Sequence, residues 1–163
     1  MAAIFVTEVL KKPAAVASAA FLLSTLGQAV LLSRAGRWTD AVGRKPILAI
    51  GVGITIASQS VLLFNPDVVW FFVAMLLLGL GGAFMASAPS AVLGDVTKGH
   101  PRGPVLAASQ MASDLGGVLG PLVAGFTLDM TSSYPAAFAT GVALLLVSAL
   151  LVVPMPETLQ RRD

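Results

Sequence analysis

Few residues in this chain could do chemistry, and the most informative of them is Asp114. It is the single charge in an apolar segment that runs from about Gly103 to Leu128. At 1.5 Å per helical residue it lies about 16 Å from Gly103, near the middle of a bilayer. A charge at that depth is costly, so it should face a bundle interior, a cavity or a polar partner. Asp114 is therefore either a proton-coupling or substrate-contacting carboxylate, or a structural carboxylate bonded to neighbouring helices.

Other polar residues could accompany Asp114. Helical spacing of i, i+4, i+7 and i+11 places Gln110, Asp114, Gly117 and Pro121 on one helix face. Gln28 and Gln59 also lie within apolar segments. Each of these two glutamines is a candidate for lining a pathway, with an inter-helix hydrogen bond as the alternative.

The chain lacks the catalytic residues that most classes of enzyme require. The chain has no cysteine and one histidine, His100, so thiolate chemistry and a metal site are not expected. An intramembrane aspartyl hydrolase would need two facing carboxylates at depth, whereas Asp95 falls at a membrane end. We therefore predict a protein that is not an enzyme and that carries no cofactor and no metal.

Long apolar segments must position these residues. The chain is 56% hydrophobic and 11% charged, against about 25% charged residues in soluble domains. Each of five segments has about the 20 residues that cross a bilayer, where helices satisfy every backbone polar group. They are about Pro13–Ser33, Pro46–Phe64, Val68–Gly94, Gly103–Leu128 and Pro135–Pro154. The predicted fold is an all-α integral membrane bundle of about five transmembrane helices.

The distribution of basic residues predicts the orientation of these helices. Eight lie on one side of the alternating loops: Arg34, Arg37, Arg44, Lys45, Lys98, Arg102, Arg161 and Arg162. Only Lys11 and Lys12 lie on the other side. The positive-inside rule then places Met1 outside and Asp163 in the cytoplasm. Basic residues at segment ends, without interleaved aromatic residues, favour a membrane-lipid partner and no nucleic acid.

The densest charge cluster is the stretch from Gly36 to Lys45, which we expect to form a polar cytoplasmic loop between the first two helices. Its pattern resembles the signature loop of the major facilitator superfamily, G-x-x-x-D-x-x-G-R-[KR]. The matching residues are Gly36, Asp40, Gly43, Arg44 and Lys45, with Arg37 as a further basic residue. Physically, the glycines permit a tight turn, the aspartate can face a helix N-terminus, and the basic residues can bind carboxylates and lipid phosphates.

The fourth segment carries a second resemblance to that family. Gly116, Gly120, Pro121 and Gly125 are similar to its Gly-Pro motif, which is associated with antiporters, although Ala107 and Ala124 replace two of the glycines. The physical reading is a small-residue face for close helix packing, followed by a bend at the proline. We expect these glycines to lie against another helix.

The resemblance implies which part of a transporter this is. In the family's first half the fourth helix carries R-x-x-Q-G, and alignment on Gly79 puts apolar Met75 and Leu78 at its polar positions. This favours helices eight to twelve, the C-terminal half of a truncated transporter. Residues 1–12 would be an extracytoplasmic start and stub of a missing helix, 13–156 the partial six-helix half, and 157–163 a cytoplasmic tail.

The implied function is secondary active transport of a small molecule across the cell membrane, as proton-coupled efflux by a larger transporter. The expected partners are a missing N-terminal half or other helices, membrane lipid and a small-molecule substrate. The alternative is a truncated, non-transporting membrane protein that packs with or regulates partner helices.

Reporter fusions test the predicted topology. Fusions should alternate between outside and inside, starting outside, when placed after Lys12, Arg44, Asp67, Lys98, Ser132 and Asp163. The physical reason is the uneven distribution of basic residues, which resist translocation. Cytoplasmic signals at both Asp67 and Ser132 would contradict it.

Overall fold

A computed structural model describes residues 2–64, 67–97 and 102–154. Its elements are six α-helices, and no strand occurs among these residues. The helices are α1 (Ala2–Glu8), α2 (Ala14–Val42), α3 (Arg44–Phe64), α4 (Val68–Val96), α5 (Arg102–Thr131) and α6 (Tyr134–Val152).

Five of the described helices, α2 to α6, are long and apolar enough to cross a membrane. The shortest, α6, has 19 residues, which corresponds to about 28 Å of helix length. The predicted all-α membrane architecture is thereby confirmed. The predicted segment ends are within a few residues of the helix ends, except at the end of the first segment.

The expectation of a polar loop from Gly36 to Lys45 is wrong in its extent. Helix α2 continues through most of that stretch to Val42, and α3 begins at Arg44. The break is Gly43 alone, whose φ of 127° and ψ of 160° belong to a region that is essentially restricted to glycine. With 29 residues, about 43 Å long, α2 can cross the hydrocarbon and still project its charged last turns beyond it.

The packing is organised around α4, which lies against both α2 and α3. Helix α6 in turn packs on α3 and on α5. Short α1 closes one end, where buried Phe5 lies 6.0 Å from the Phe71 ring and 5.2 Å from the Phe138 ring. The same end is fixed by the Tyr134 hydroxyl, which donates a 2.7 Å hydrogen bond to the Glu8 carboxylate.

Glycines permit the closest helix contacts. A Cβ atom at Gly79 of α4 would overlap the backbone carbonyl of Ser24 in α2. A Cβ atom at Gly51 of α3 would lie 2.8 Å from the Cβ atom of Phe84. Both faces of α4 therefore approach their neighbours at distances that a larger residue would prevent, as is usual where helices associate inside a bilayer.

Helix α5 differs from this compact group because it has no buried residue. Its main neighbour is α6. A Cβ atom at Gly116, Gly117 or Gly120 would meet nothing within 4 Å. Within the described part of the chain, the glycine face of α5 is therefore uncovered.

We predict that Gly79→Ala lowers the free energy of unfolding in detergent by about 1–3 kcal/mol, because the added methyl must push the Ser24 backbone away. Gly53→Ala is the matched control, since a Cβ atom there meets open space. Titration with a denaturing detergent, followed by circular dichroism, measures both variants. Equal stability of the two would show that α2 and α4 are not held this closely.

Candidate functional site

A cluster of hydrogen bonds centred on Arg44 fastens one end of the helix bundle. The Nε of Arg44 donates to Oδ2 of Asp95 at 3.0 Å, and Nη1 donates to the backbone carbonyl of Thr39 at 3.1 Å. Its Nη2 also lies 3.3 Å from Oδ1 of Asp40. Because these partners lie on α2 and α4, this side chain of α3 joins three helices.

The local fold explains why Arg44 can be buried. The chain turns at Gly43, so that α3 begins at Arg44 next to the last turn of α2. The carbonyls at a helix C-terminus lack the hydrogen-bond donors of a further helical turn. The guanidinium adds a second hydrogen bond to the Thr39 carbonyl, which also accepts from the backbone N–H of Gly43 at 3.3 Å, and it pairs with the Asp95 carboxylate, whose side chain is only 17% exposed. Asp40 is 70% exposed, so its ion pair with Arg44 is the weaker of the two.

Asp95, which the sequence analysis placed only at a membrane end, lies in the last turn of α4 and pairs with Arg44. This pairing was not predicted. The available signal was an acid at the same membrane end as the basic signature residues. Lys98 and His100 lie outside the described residues, and Arg102 is the exposed first residue of α5.

Two further contacts join helices at this end of the bundle. The hydroxyls of Thr39 and Ser87 lie 3.1 Å apart and join α2 to α4. The Nζ of Lys45 donates a 2.6 Å hydrogen bond to the carbonyl of Val153, just beyond the end of α6. A cation at a helix C-terminus is favourable because it meets unpaired carbonyls and the negative end of the helix dipole.

The signature residues therefore divide by role. Arg44 and Lys45 reach other helices, Gly43 forms the break and Asp40 supplies an exposed counter-charge. Gly36 lies within α2, where a Cβ atom would meet open space, and Arg37 is exposed. The structure brings together four of the six predicted residues at one end of the bundle.

The predicted Asp114 site lies elsewhere, on the open face of α5. Gln110 donates from Nε2 to Oδ1 of Asp114 at 2.9 Å, which confirms only that the two share a helix face. Gly117 and Pro121, predicted on that face, are also exposed. Among the described residues, no side chain from another helix bonds to Asp114.

The expected packing of Gly116, Gly120 and Gly125 against a helix, and the bend at Pro121, stay predictions.

The two candidate glutamines contact different helices, and among the described residues neither bonds to Asp114. Gln28 contacts α4, where its Nε2 would lie 3.2 Å from a Cβ atom at Gly82. Gln59 lies beside Gly141 in a cavity between α3, α5 and α6. Neither amide forms a side-chain hydrogen bond within residues 2–64, 67–97 and 102–154. Those ranges also contain no group of three or more His, Cys, Asp and Glu side chains that could hold a metal ion.

Comparison with known proteins identifies relatives. A family model described as Major Facilitator Superfamily matches residues 1–163. The chain is 30% identical over 131 residues to Multidrug resistance protein 1 of Bacillus subtilis, covering 80% of this chain and 34% of that protein. It is 30% identical over 124 residues to the class E tetracycline resistance protein of Escherichia coli, covering 74% of this chain and 29% of that protein.

A further relative is an uncharacterized MFS-type transporter of Mycobacterium tuberculosis, 34% identical over 125 residues, with 76% of this chain and 30% of that protein covered. The chain thus spans about a third of the length of the curated relatives it matches. No solved structure matches it.

We predict that Asp95→Asn lowers the free energy of unfolding by about 1–3 kcal/mol, because buried Arg44 loses its buried counter-charge. Asp40→Asn is the matched control and should cost less than about 1 kcal/mol, because that carboxylate is mostly in solvent. Denaturant titration in detergent compares them. A larger loss from the Asp40 variant would contradict the assignment of Asp95 as the principal partner.

Proposed function

Because the chain belongs to the major facilitator superfamily, we propose that it forms part of a secondary transporter that exports small molecules. The chain is a multi-pass membrane protein. Its relatives are transporters, which points to transport and away from catalysis. The single observation that carries the proposal is this membership, joined to five helices that are each able to span a bilayer.

Export is the direction that the relatives favour. Two of them are named for resistance, one to multiple drugs and one to tetracycline. Resistance of that kind is consistent with movement of a compound out of the cell. For this chain we propose efflux of an organic small molecule.

Asp114 is the residue that we propose for coupling to protons. Carboxylates inside membrane segments serve as proton relays when their access alternates between two sides. Gln110 holds one carboxylate oxygen of Asp114 at 2.9 Å, and the other oxygen has no side-chain partner among the described residues. The carboxylate is thus positioned by its own helix and available to a proton, a substrate or a polar group from another helix.

The open face of α5 supports a further part of the proposal, that other helices complete the transporter. An exposed carboxylate near mid-membrane and two glycines with open space before them, Gly116 and Gly117, are unfavourable against lipid and suited to a close helix. We assign this contact to an N-terminal half or a partner subunit. We also propose the division into residues 1–12, the bundle 13–156 and the tail 157–163.

The same open face favours a second candidate function. A membrane protein that only packs with or regulates partner helices would use the glycines of α5 and would need no proton transfer at Asp114. The two functions differ in what happens when Asp114 can no longer titrate.

We predict that Asp114→Asn abolishes uphill export driven by a pH gradient while leaving expression and helix packing intact. The amide keeps the size and the hydrogen bonding of the carboxyl group but cannot exchange a proton. The measurement uses inside-out vesicles in which the chain is co-expressed with the part of Multidrug resistance protein 1 that its match leaves uncovered. Co-purification shows assembly, and ethidium and tetracycline are the probes.

Two variants are the controls for this experiment. Asp129→Asn removes an exposed acid near the outer end of the same helix and should export at the parental rate. Asp114→Leu should also reduce co-purification, if it leaves polar groups of the partner unsatisfied. Undiminished uphill export by Asp114→Asn would make Asp114 structural, and an assembled parent pair that moves neither probe would favour the packing function.

A further inference from the structure

A cavity lies between α3, α5 and α6, away from both the Arg44 cluster and Asp114. Helix α6 packs on α3 and on α5, so it forms the floor between them. The space measures about 340 Å³. That volume is at the lower end of the range of about 300–1,000 Å³ found for small-molecule sites.

Small residues create this space. Gly120 and Ala124 line it from α5, and Ala137 and Gly141 line it from α6. The aromatic ring of Phe138 and the side chain of Leu144 supply larger apolar walls. A surface of this composition favours hydrocarbon or an aromatic ring over water.

One polar side chain from α3 enters the apolar surroundings. Gln59 lines the cavity and lies against Gly141, where a Cβ atom would be 3.7 Å from its Nε2. Its amide offers both donors and an acceptor. In the described parts of the chain this amide forms no side-chain hydrogen bond, so it is available to a bound molecule.

A second polar group on the wall complements Gln59. The hydroxyl of Thr140 donates to the carbonyl of Ala136 at 2.9 Å and lies 3.5 Å from the hydroxyl of Thr127, so its proton is committed within the chain while one lone pair on the oxygen stays open to a ligand. The hydroxyl can therefore accept a hydrogen bond from a ligand, while Gln59 can donate or accept. A group that both donates and accepts, such as an uncharged amide, matches this pair.

We propose that this cavity binds a lipophilic small molecule that carries one neutral amide-like group, with that group at Gln59 and Thr140 and its apolar body against Phe138 and Leu144. Pro121 of α5 also lines the cavity and lies seven residues from Asp114, about 10 Å along the helix. The site is thus separate from the proposed coupling carboxylate. Its existence does not depend on transport, because it is formed by three helices of this chain.

Photolabelling of the full chain in lipid nanodiscs tests the proposal. The probe is a phenyl diazirine with a butanamide tail, and its partner probe carries a pentyl tail without the amide. Labelling by the amide probe should saturate and map by mass spectrometry to α5 and α6. The amide probe should half-saturate at a concentration about five- to tenfold lower than the pentyl probe, as expected for one or two added hydrogen bonds.

Three variants make the test specific. Gln59→Leu keeps the bulk of the side chain and should remove the preference for the amide probe. Gly141→Leu should remove saturable labelling, because its Cβ atom fits at 3.7 Å from Gln59 and the rest of the side chain enters the cavity. Gly53→Leu, on open space of α3, should label like the parent. Circular dichroism and gel filtration show that each variant is folded.

Two results would overturn the proposal. One is labelling that does not saturate and is equal in all folded variants. The other is labelling of the cavity by a phospholipid with a photoreactive acyl chain that excess amide probe does not reduce. That result would show that bilayer lipid occupies the space. Binding is measured without a gradient, so its failure is distinguishable from a failure of export.

Discussion

The structure depends on the close approach of α4 to its two neighbours. Inside a bilayer, lipid tails are as apolar as leucine, so burial of hydrocarbon does not by itself draw helices together. Packing must supply the attraction, and packing improves as backbones approach. Gly79 against the Ser24 carbonyl and Gly51 against Phe84 provide this approach on the two faces of α4. The positions of α2 and α3, and hence of everything they carry, follow from these contacts.

Once these three helices are adjacent, their ends must satisfy their polar groups. At one end, the Arg44 guanidinium bonds both the Thr39 carbonyl of α2 and the Asp95 carboxylate of α4, because Gly43 turns the chain within one residue and brings the guanidinium back under the last turn of α2. A longer loop would place the same cation in solvent, where an ion pair contributes little. The glycine break and the buried ion pair are therefore two parts of one arrangement.

Sequence reasoning predicted the five helices because uninterrupted apolar length is a strong signal that leaves few alternatives in a bilayer. It misjudged the end of α2, because charge was taken to mark the end of a helix. Charged residues can continue a helix once it has left the hydrocarbon. It also missed Asp95 as the partner of Arg44, since no spacing rule connects residues 51 positions apart. The shared face of Gln110 and Asp114 was predictable because it is set within one helix.

The glycines show why composition alone could not distinguish the closely packed helices around α4 from the exposed helix α5. Gly79 and Gly120 are both glycines in apolar helices, and a sequence motif treats them alike. A Cβ atom at Gly79 collides with a neighbouring backbone, whereas one at Gly120 meets open space. The carboxylates divide in the same way, since Asp95 pairs with a buried cation and, in the described ranges of the chain, Asp114 bonds only to its own helix. Close packing and paired charge thus coincide around α4, and open glycines and a part-satisfied carboxylate coincide on α5. In a bilayer, the second combination is unfavourable against lipid and suited to a further helix and a polar group, which is the physical basis of our proposal that α5 faces partner helices.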